Sequence, residues 1–409
     1  MTSAVLSHVL LSLAIVVLLA RLGGFLFERL GQPPVVGEIV AGIAAAQFGG
    51  VLLPSDARPY LNLIAQLGLV IFMLIVGLEV EVVARARTVG AIAAGATVLP
   101  FVLGVLLAAV VWPWYRVAAG RLPFLLFVGV AVAITAFPVL ARILRDRGMS
   151  GTRIGGIAMT CAAIIDVVAW LGLAAVIALA GHGTHRPWVM LALVTAFVLV
   201  VLLAVRPGLA ALQRRGTLDR VSPRALLVGV LVAAVLAAWF TESIGLHSIF
   251  GPFVVGLALP RHRATVDLVV TRAADLSTGL LLPAFFVVAG LGVDLSALTW
   301  RDAGVLGAAV VVSMVGKIAG AAGPARLTGM GGRDALTLGV LLSTRGLTEL
   351  VVLTVGAAAG LLTTTLYTIL VINAVITTLA TGPLLSLLER RGRSTNNRKV
   401  EQIWTPAST

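Results

Sequence analysis

Asp166 stands inside an apolar run, Thr160-Cys161-Ala162-Ala163-Ile164-Ile165-Asp166-Val167-Val168-Ala169-Trp170, with no countercharge within one helical turn. An ionisable group at the centre of a bilayer costs at least ~2.5–3.5 kcal/mol even on lenient insertion scales, so each one needs a partner or a job. A lone carboxylate can hold a proton or a hard monovalent cation in turn, which makes Asp166 the candidate exchangeable-ligand site. The plainer alternative is an aspartate tied permanently to a lysine on another helix. Lys317 also interrupts an apolar run, and only it and Lys399 are lysines among 30 basic residues. Lysine can shed its proton and arginine cannot, so this exception fits a group that titrates or releases a partner, or merely one that fits a narrower space. Arg345 and Glu349, four residues apart, would share a helix face as an internal ion pair that shapes the site. Glu38, after Gly31-Gln32-Pro33-Pro34, and Glu242, after Phe240-Thr241, are expected near an interface, where a wetted structural role stands beside a functional one. The single cysteine, Cys161, permits no intramolecular disulfide and no multi-thiolate site, and the five histidines form no metal-ligand spacing.

The elements that must carry these residues follow from composition. Of 409 residues 59% are hydrophobic and 11% charged, with a mean hydropathy of +1.08. Soluble domains run near 45–50% apolar and about 25% charged, so a soluble enzyme is excluded and an all-α polytopic membrane protein is expected. The net charge of +13 would suggest nucleic acid in a soluble protein. Here it asks where cations sit relative to the bilayer. Apolar runs between charge and turn clusters predict thirteen spans, at about 4–27, 33–48, 61–79, 88–112, 122–145, 151–180, 187–205, 223–241, 246–260, 267–291, 302–324, 334–357 and 364–388. The first is read as a helix and not as a cleaved leader, since no convincing small-x-small site follows it. With the N-terminus outside, only Arg58, Arg116, Arg121, Arg186 and Arg301 fall in outward segments, Lys317 and Arg345 lie within spans, and every other basic residue falls inward. The positive-inside rule therefore puts the C-terminus in the cytoplasm, with residues 391–409 a short polar tail and no appended nucleotide-binding domain. Arginine-rich, lysine-poor usage points to a bacterial protein and its inner membrane.

Two spans are interrupted at corresponding places. The fifth contains Ile134-Thr135-Ala136-Phe137-Pro138, where Pro138 removes a backbone donor, and the twelfth contains Ser343-Thr344-Arg345-Gly346, with a charge beside glycine. Paired interruptions in two halves point to a transporter with inverted repeats and a substrate site at unwound backbone near the midplane; isolated kinks are the simpler reading of either one alone.

Gly31-Gln32-Pro33-Pro34-Val35-Val36-Gly37-Glu38, Ile134 to Arg142, Asp166 to Trp170, Leu282-Pro283-Ala284-Phe285-Phe286 and Ser343 to Leu350 occur in order along the chain. In these motifs the chain resembles the monovalent cation:proton antiporter-2 family, over residues 4 to 388. The resemblance implies a homodimer whose protomers, over residues 1–390, have a dimerisation part at about 4–79 and 187–291 and a core part at about 88–180 and 302–388. It implies that the fifth and twelfth spans cross at their breaks beside Asp166, which binds the transported Na⁺ or K⁺ and the proton in turn. Thr135 would lend oxygen from the unwound segment, and Lys317 would support the site. Ile165, Ser343, Thr344, Arg345, Glu349 and Pro138 surround it.

One departure matters: where the family has Asp-Asp or Asn-Asp, this chain has Ile165-Asp166. A single titrating carboxylate suits electroneutral exchange of one cation for one proton. Ser343, where many relatives have Asn, is a lesser change. The expectation is thus a secondary antiporter, not an enzyme, working by alternating access without cofactor or nucleotide. The rivals are an antiporter scaffold that has lost ion exchange and binds or converts a small organic molecule, and an organic-anion transporter drawing on Lys317 and Arg345.

Overall fold

A computed structural model describes residues 3–47, 54, 56–79, 86–181, 187–217, 220–244, 248–260, 271, 277–296 and 298–403. Helix is the only regular secondary structure among the described residues, as a hydrocarbon environment requires of backbone that must satisfy its own polar groups. The first bundle comprises α1 (Ser3–Arg29), α2 (Pro34–Gln47) and α3 (Arg58–Glu79). The next helices are α4 (Ala86–Val111), α5 (Arg121–Ala133), α6 (Phe137–Asp146) and α7 (Arg153–Leu179). Then come α8 (Pro187–Val200), α9 (Arg206–Arg214), α10 (Pro223–Ser243), α11 (Phe250–Ala258) and α12 (Leu282–Leu291). The chain closes with α13 (Trp300–Leu327), α14 (Gly332–Leu342), α15 (Leu347–Ala358) and α16 (Thr364–Ile403).

Every predicted span contains one of these helices, and the two interrupted spans are the pairs α5/α6 and α14/α15. The seventh span runs longer than expected, because a π-helical turn at Val201–Val205 joins α8 to α9 without a break. A second π turn, Ser277–Leu281, leads into α12. His182, His185, His247, His262, Arg186, Arg261, Arg263 and the first part of the tenth span lie outside the described residues. Helix α16 does not stop at the end of its apolar run near residue 388: its backbone continues helical through the polar segment to Ile403, because hydrogen bonding along the helix axis does not depend on apolar side chains.

Packing divides the helices into two groups. Helix α1 lies on α2, α2 on α12, α3 on α11 and α11 on α10. Separately, α4 lies on α13 and α5, α13 on α14 and α16, and α7 on α4 and α5. Small residues set the closest approaches. A Cβ on Gly95 of α4 would collide with the carbonyl oxygen of Gly320 in α13, and one on Gly320 would collide with that of Gly95. Without a hydrophobic drive between helices in lipid, such backbone-to-backbone contact is what gives packing its energy.

Two clefts mark the seam between the groups. One, of about 390 Å³, is lined by Asn62, Gln66, Phe285, Thr354, Leu362 and Tyr367. The other, of about 270 Å³, is lined by Glu28, Gln32, Pro33, Arg142, Arg147 and Gly382. Thr364 borders the first and Gly382 the second; at 1.5 Å per residue along α16 the clefts are about 27 Å apart.

Candidate functional site

The two breaks meet. After α5 the backbone is non-helical at residues 134–136, and Pro138, second residue of α6, restarts the helix where its missing N–H costs nothing. After α14 it is non-helical over 343–346, and Gly346 restarts α15 at φ 154, a backbone region that disfavours any residue with a Cβ. The Ala136 N–H donates to the Thr344 carbonyl at 2.9 Å. The Thr135 hydroxyl donates to the Leu342 carbonyl at 2.8 Å, capping the last turn of α14.

Arg345 ties the other side of the crossing. Its guanidinium donates to the Ala131 carbonyl at 3.1 Å and the Val132 carbonyl at 2.5 Å, the unpaired acceptors at the end of α5. A cation there also complements the negative end of that half-helix. The same group forms the ion pair with Glu349, at 2.6 Å and fully buried. The pair predicted from spacing is therefore present, but the two do not share a helix face. Arg345 lies in the break, Glu349 in the first turn of α15, and the pairing needs the bent chain between them. Thr378 of α16 steadies the break, donating to the Arg345 carbonyl at 2.8 Å and accepting from its N–H at 3.2 Å. Ser343 and Thr344 turn their hydroxyls back onto Val340 and Leu341 carbonyls, both at 2.7 Å, so they brace α14.

Asp166 lies midway along α7, whose start is fixed by Thr152 accepting from the Gly155 N–H at 3.1 Å. Its side chain is 1% exposed, and Oδ1 is buried without a hydrogen-bond partner. Lys317, fully buried on α13, donates to the Thr135 hydroxyl at 2.7 Å. Among the described residues no ion pair joins Lys317 to Asp166, so the lysine is not locked to the carboxylate, although Asp166, Arg345 and Glu349 all act on it electrostatically. Four buried charges, Asp166 and Glu349 against Lys317 and Arg345, balance formally. Ile165 faces away into the apolar core and offers no polar atom.

Glu38 is not wetted as predicted: it is only 8% exposed, on α2, within the field of Arg21 and Arg142. Glu242 does lie at a surface, where its carboxylate accepts from the Ser248 N–H at 2.7 Å. Three polar features escaped the sequence reading. Thr348, in the first turn of α15, is buried beside Asp166. Asn373 of α16 donates to Ser313 of α13 at 3.2 Å, one turn from Lys317. Tyr115 donates to Asp302, which also accepts from the Thr299 N–H at 2.7 Å and so caps α13. Threonine, asparagine and tyrosine carry no charge to stand out in an apolar run; the only signal was the place of Thr348 three residues after Arg345, and Asn373 and Tyr115 are brought to their partners only by the fold.

Comparison with known proteins gives concordant results. A family model described as sodium/hydrogen exchanger, transmembrane, matches residues 14–389. The chain is 35% identical to the Na⁺/H⁺ antiporter NhaS4 of Synechocystis over 92% of its own length and 96% of that protein. It is also 35% identical to cation/H⁺ antiporter 19 of Arabidopsis thaliana over 96% of its length, but it spans about half, 51%, of that plant relative. Among solved structures, the sodium proton antiporter MjNhaP1 of Methanocaldococcus jannaschii superposes with a TM-score of 0.67 at 16% identity, covering 93% of this chain and 96% of that one. That likeness establishes the fold.

Proposed function

This chain belongs to the sodium/hydrogen exchanger family, and from that premise we propose that it is a secondary antiporter exchanging one Na⁺ or K⁺ for one H⁺ across a cell membrane. The observation that carries the reading is a buried carboxylate with a free oxygen, Asp166 Oδ1, beside two crossed breaks that are bonded to one another through Thr135 and Arg345.

Asp166 takes the proton or the cation, never both. Either load adds one positive charge to a cluster that is formally neutral when empty, so the loaded site carries the same charge in both directions of travel. With Ile165 beside Asp166 there is no second carboxylate to change that count, and exchange is electroneutral. Thr135 presents its hydroxyl oxygen to Lys317, which positions it, while Arg345, Glu349, Ser343, Thr344 and Pro138 hold the breaks in shape. The helices 4–79 and 187–291 form the dimerisation part and 88–180 with 302–388 the moving core. The N-terminus lies outside and the C-terminus in the cytoplasm of a bacterial inner membrane, a register that the inward excess of arginine supports; in it the cleft near Thr364 opens outward and the one near Arg142 inward.

Purified protein in proteoliposomes should show cation-dependent proton flux that Asp166→Asn abolishes. Undiminished flux in that variant removes the reading.

A further inference from the structure

Several helical threonines near the site bond back to their own helix: Thr354 donates to the Leu350 carbonyl at 2.8 Å, Thr160 to Gly156 at 2.9 Å, Thr377 to Asn373 at 2.8 Å and Thr381 to Thr377 at 3.0 Å. Thr348 is different. It is 2% exposed and its Oγ1 has no hydrogen-bond partner. The cause lies in the break. The carbonyl four residues back, Thr344 O, accepts from Ala136 N–H of the other break, and the one three residues back, Arg345 O, accepts from the Thr378 hydroxyl. Stripped of its usual acceptors, the Thr348 hydroxyl lies beside the Asp166 carboxyl, whose Oδ1 is likewise unpartnered, as is Glu349 Oε2 in the same turn.

A buried hydroxyl left unpaired is destabilising, a cost that a group filling the gap would remove. We propose that Thr348 Oγ1 is the second side-chain oxygen of the cation site and serves both cargoes. Its lone pairs coordinate the cation together with Asp166, and they accept the O–H when Asp166 is protonated. A hydroxyl is suited to this double duty because its oxygen offers two acceptor lone pairs, whereas the Lys317 ammonium only donates. The inference rests on the reading of Asp166 as the carrier and adds a residue that sets affinity and preference among alkali cations.

Thr348→Val keeps the shape and deletes the oxygen; Thr348→Ser keeps the oxygen. In proteoliposomes Thr348→Val should raise the KM for Na⁺ or K⁺ about tenfold or more, the loss of ~1.4 kcal/mol, with a smaller change in kcat. Thr348→Ser should stay within about twofold of the parent, a far smaller free-energy difference. In detergent, the rise in melting temperature on adding NaCl or KCl over choline chloride should shrink in Thr348→Val and persist in Thr348→Ser. If Thr348→Val does not fold, Thr348→Ala replaces it. A parental KM in the variant lacking the hydroxyl overturns the proposal, as does a serine variant as impaired as the valine. Asp166→Asn separates the two levels: a silent Asp166→Asn with a normal Thr348→Val sinks only the role of Thr348, whereas an active Asp166→Asn sinks the carrier itself.

Discussion

Arg345 shows how much one side chain can hold when it is buried with every charge matched. Its guanidinium spans two carbonyls of α5 and one carboxylate of α15, a fork that a lysine ammonium cannot reproduce. Arg345→Lys should therefore lower the melting temperature in detergent by several degrees. Glu349→Ala should do the same by leaving the guanidinium unpaired, at about 3–5 kcal/mol. Melting curves matching the parent for both variants would refute this account of the crossing. Asp166, Lys317, Arg345 and Glu349 were legible in the sequence because a charge in an apolar run cannot be accidental. The partners of Arg345 were not, since the carbonyls it caps lie more than 200 residues earlier. Nor was Thr348, whose freedom depends on acceptors taken by Ala136 and Thr378 on other elements.

At the scale of elements, both breaks could be read from Pro138 and from Arg345-Gly346, because proline and glycine act on backbone geometry locally. The group to which each helix packs is less readable, since α4 and α13 meet through glycines that look like any others in a chain with 44 of them. Gly320→Val should force α4 and α13 apart at Gly95 and lower the melting temperature, an overpacking cost of about 1–3 kcal/mol. Gly323→Val, with open space around it, is the control that should melt like the parent. The cap on α13 adds a pH dependence. Burial, then the hydrogen bond to Asp302, push the Tyr115 phenol above its ordinary 10.0. A group raised on folding stabilises below its unfolded value and ceases to as pH rises, so stability should start to fall above about pH 10. Tyr115→Phe should flatten that alkaline limb; an unchanged limb in the variant would show that other groups produce it.

For the whole molecule, the distribution of arginine predicts orientation. The native thiol, Cys161, is buried, so an introduced cysteine reports alone. In right-side-out vesicles an impermeant maleimide should label Ala118→Cys and leave Ser222→Cys unlabelled until the membrane is opened. The reverse pattern would invert the proposed topology. Flux indifferent to a clamped membrane potential would agree with one-for-one exchange, and potential-driven flux would contradict it.

The lashing of each break to the other has a mechanical corollary. On the proposed exchange, a cargo pocket knotted across two half-helices would be ferried as a block and not squeezed open from one side, and a ferried block would drag its greasy girdle against the surrounding lipid. Acyl-chain length should then govern how fast the protein works, with an optimum at one bilayer thickness. The ranking of Na⁺, K⁺ and Li⁺ should stay constant from short- to long-chain phosphatidylcholine, because the knot travels unchanged.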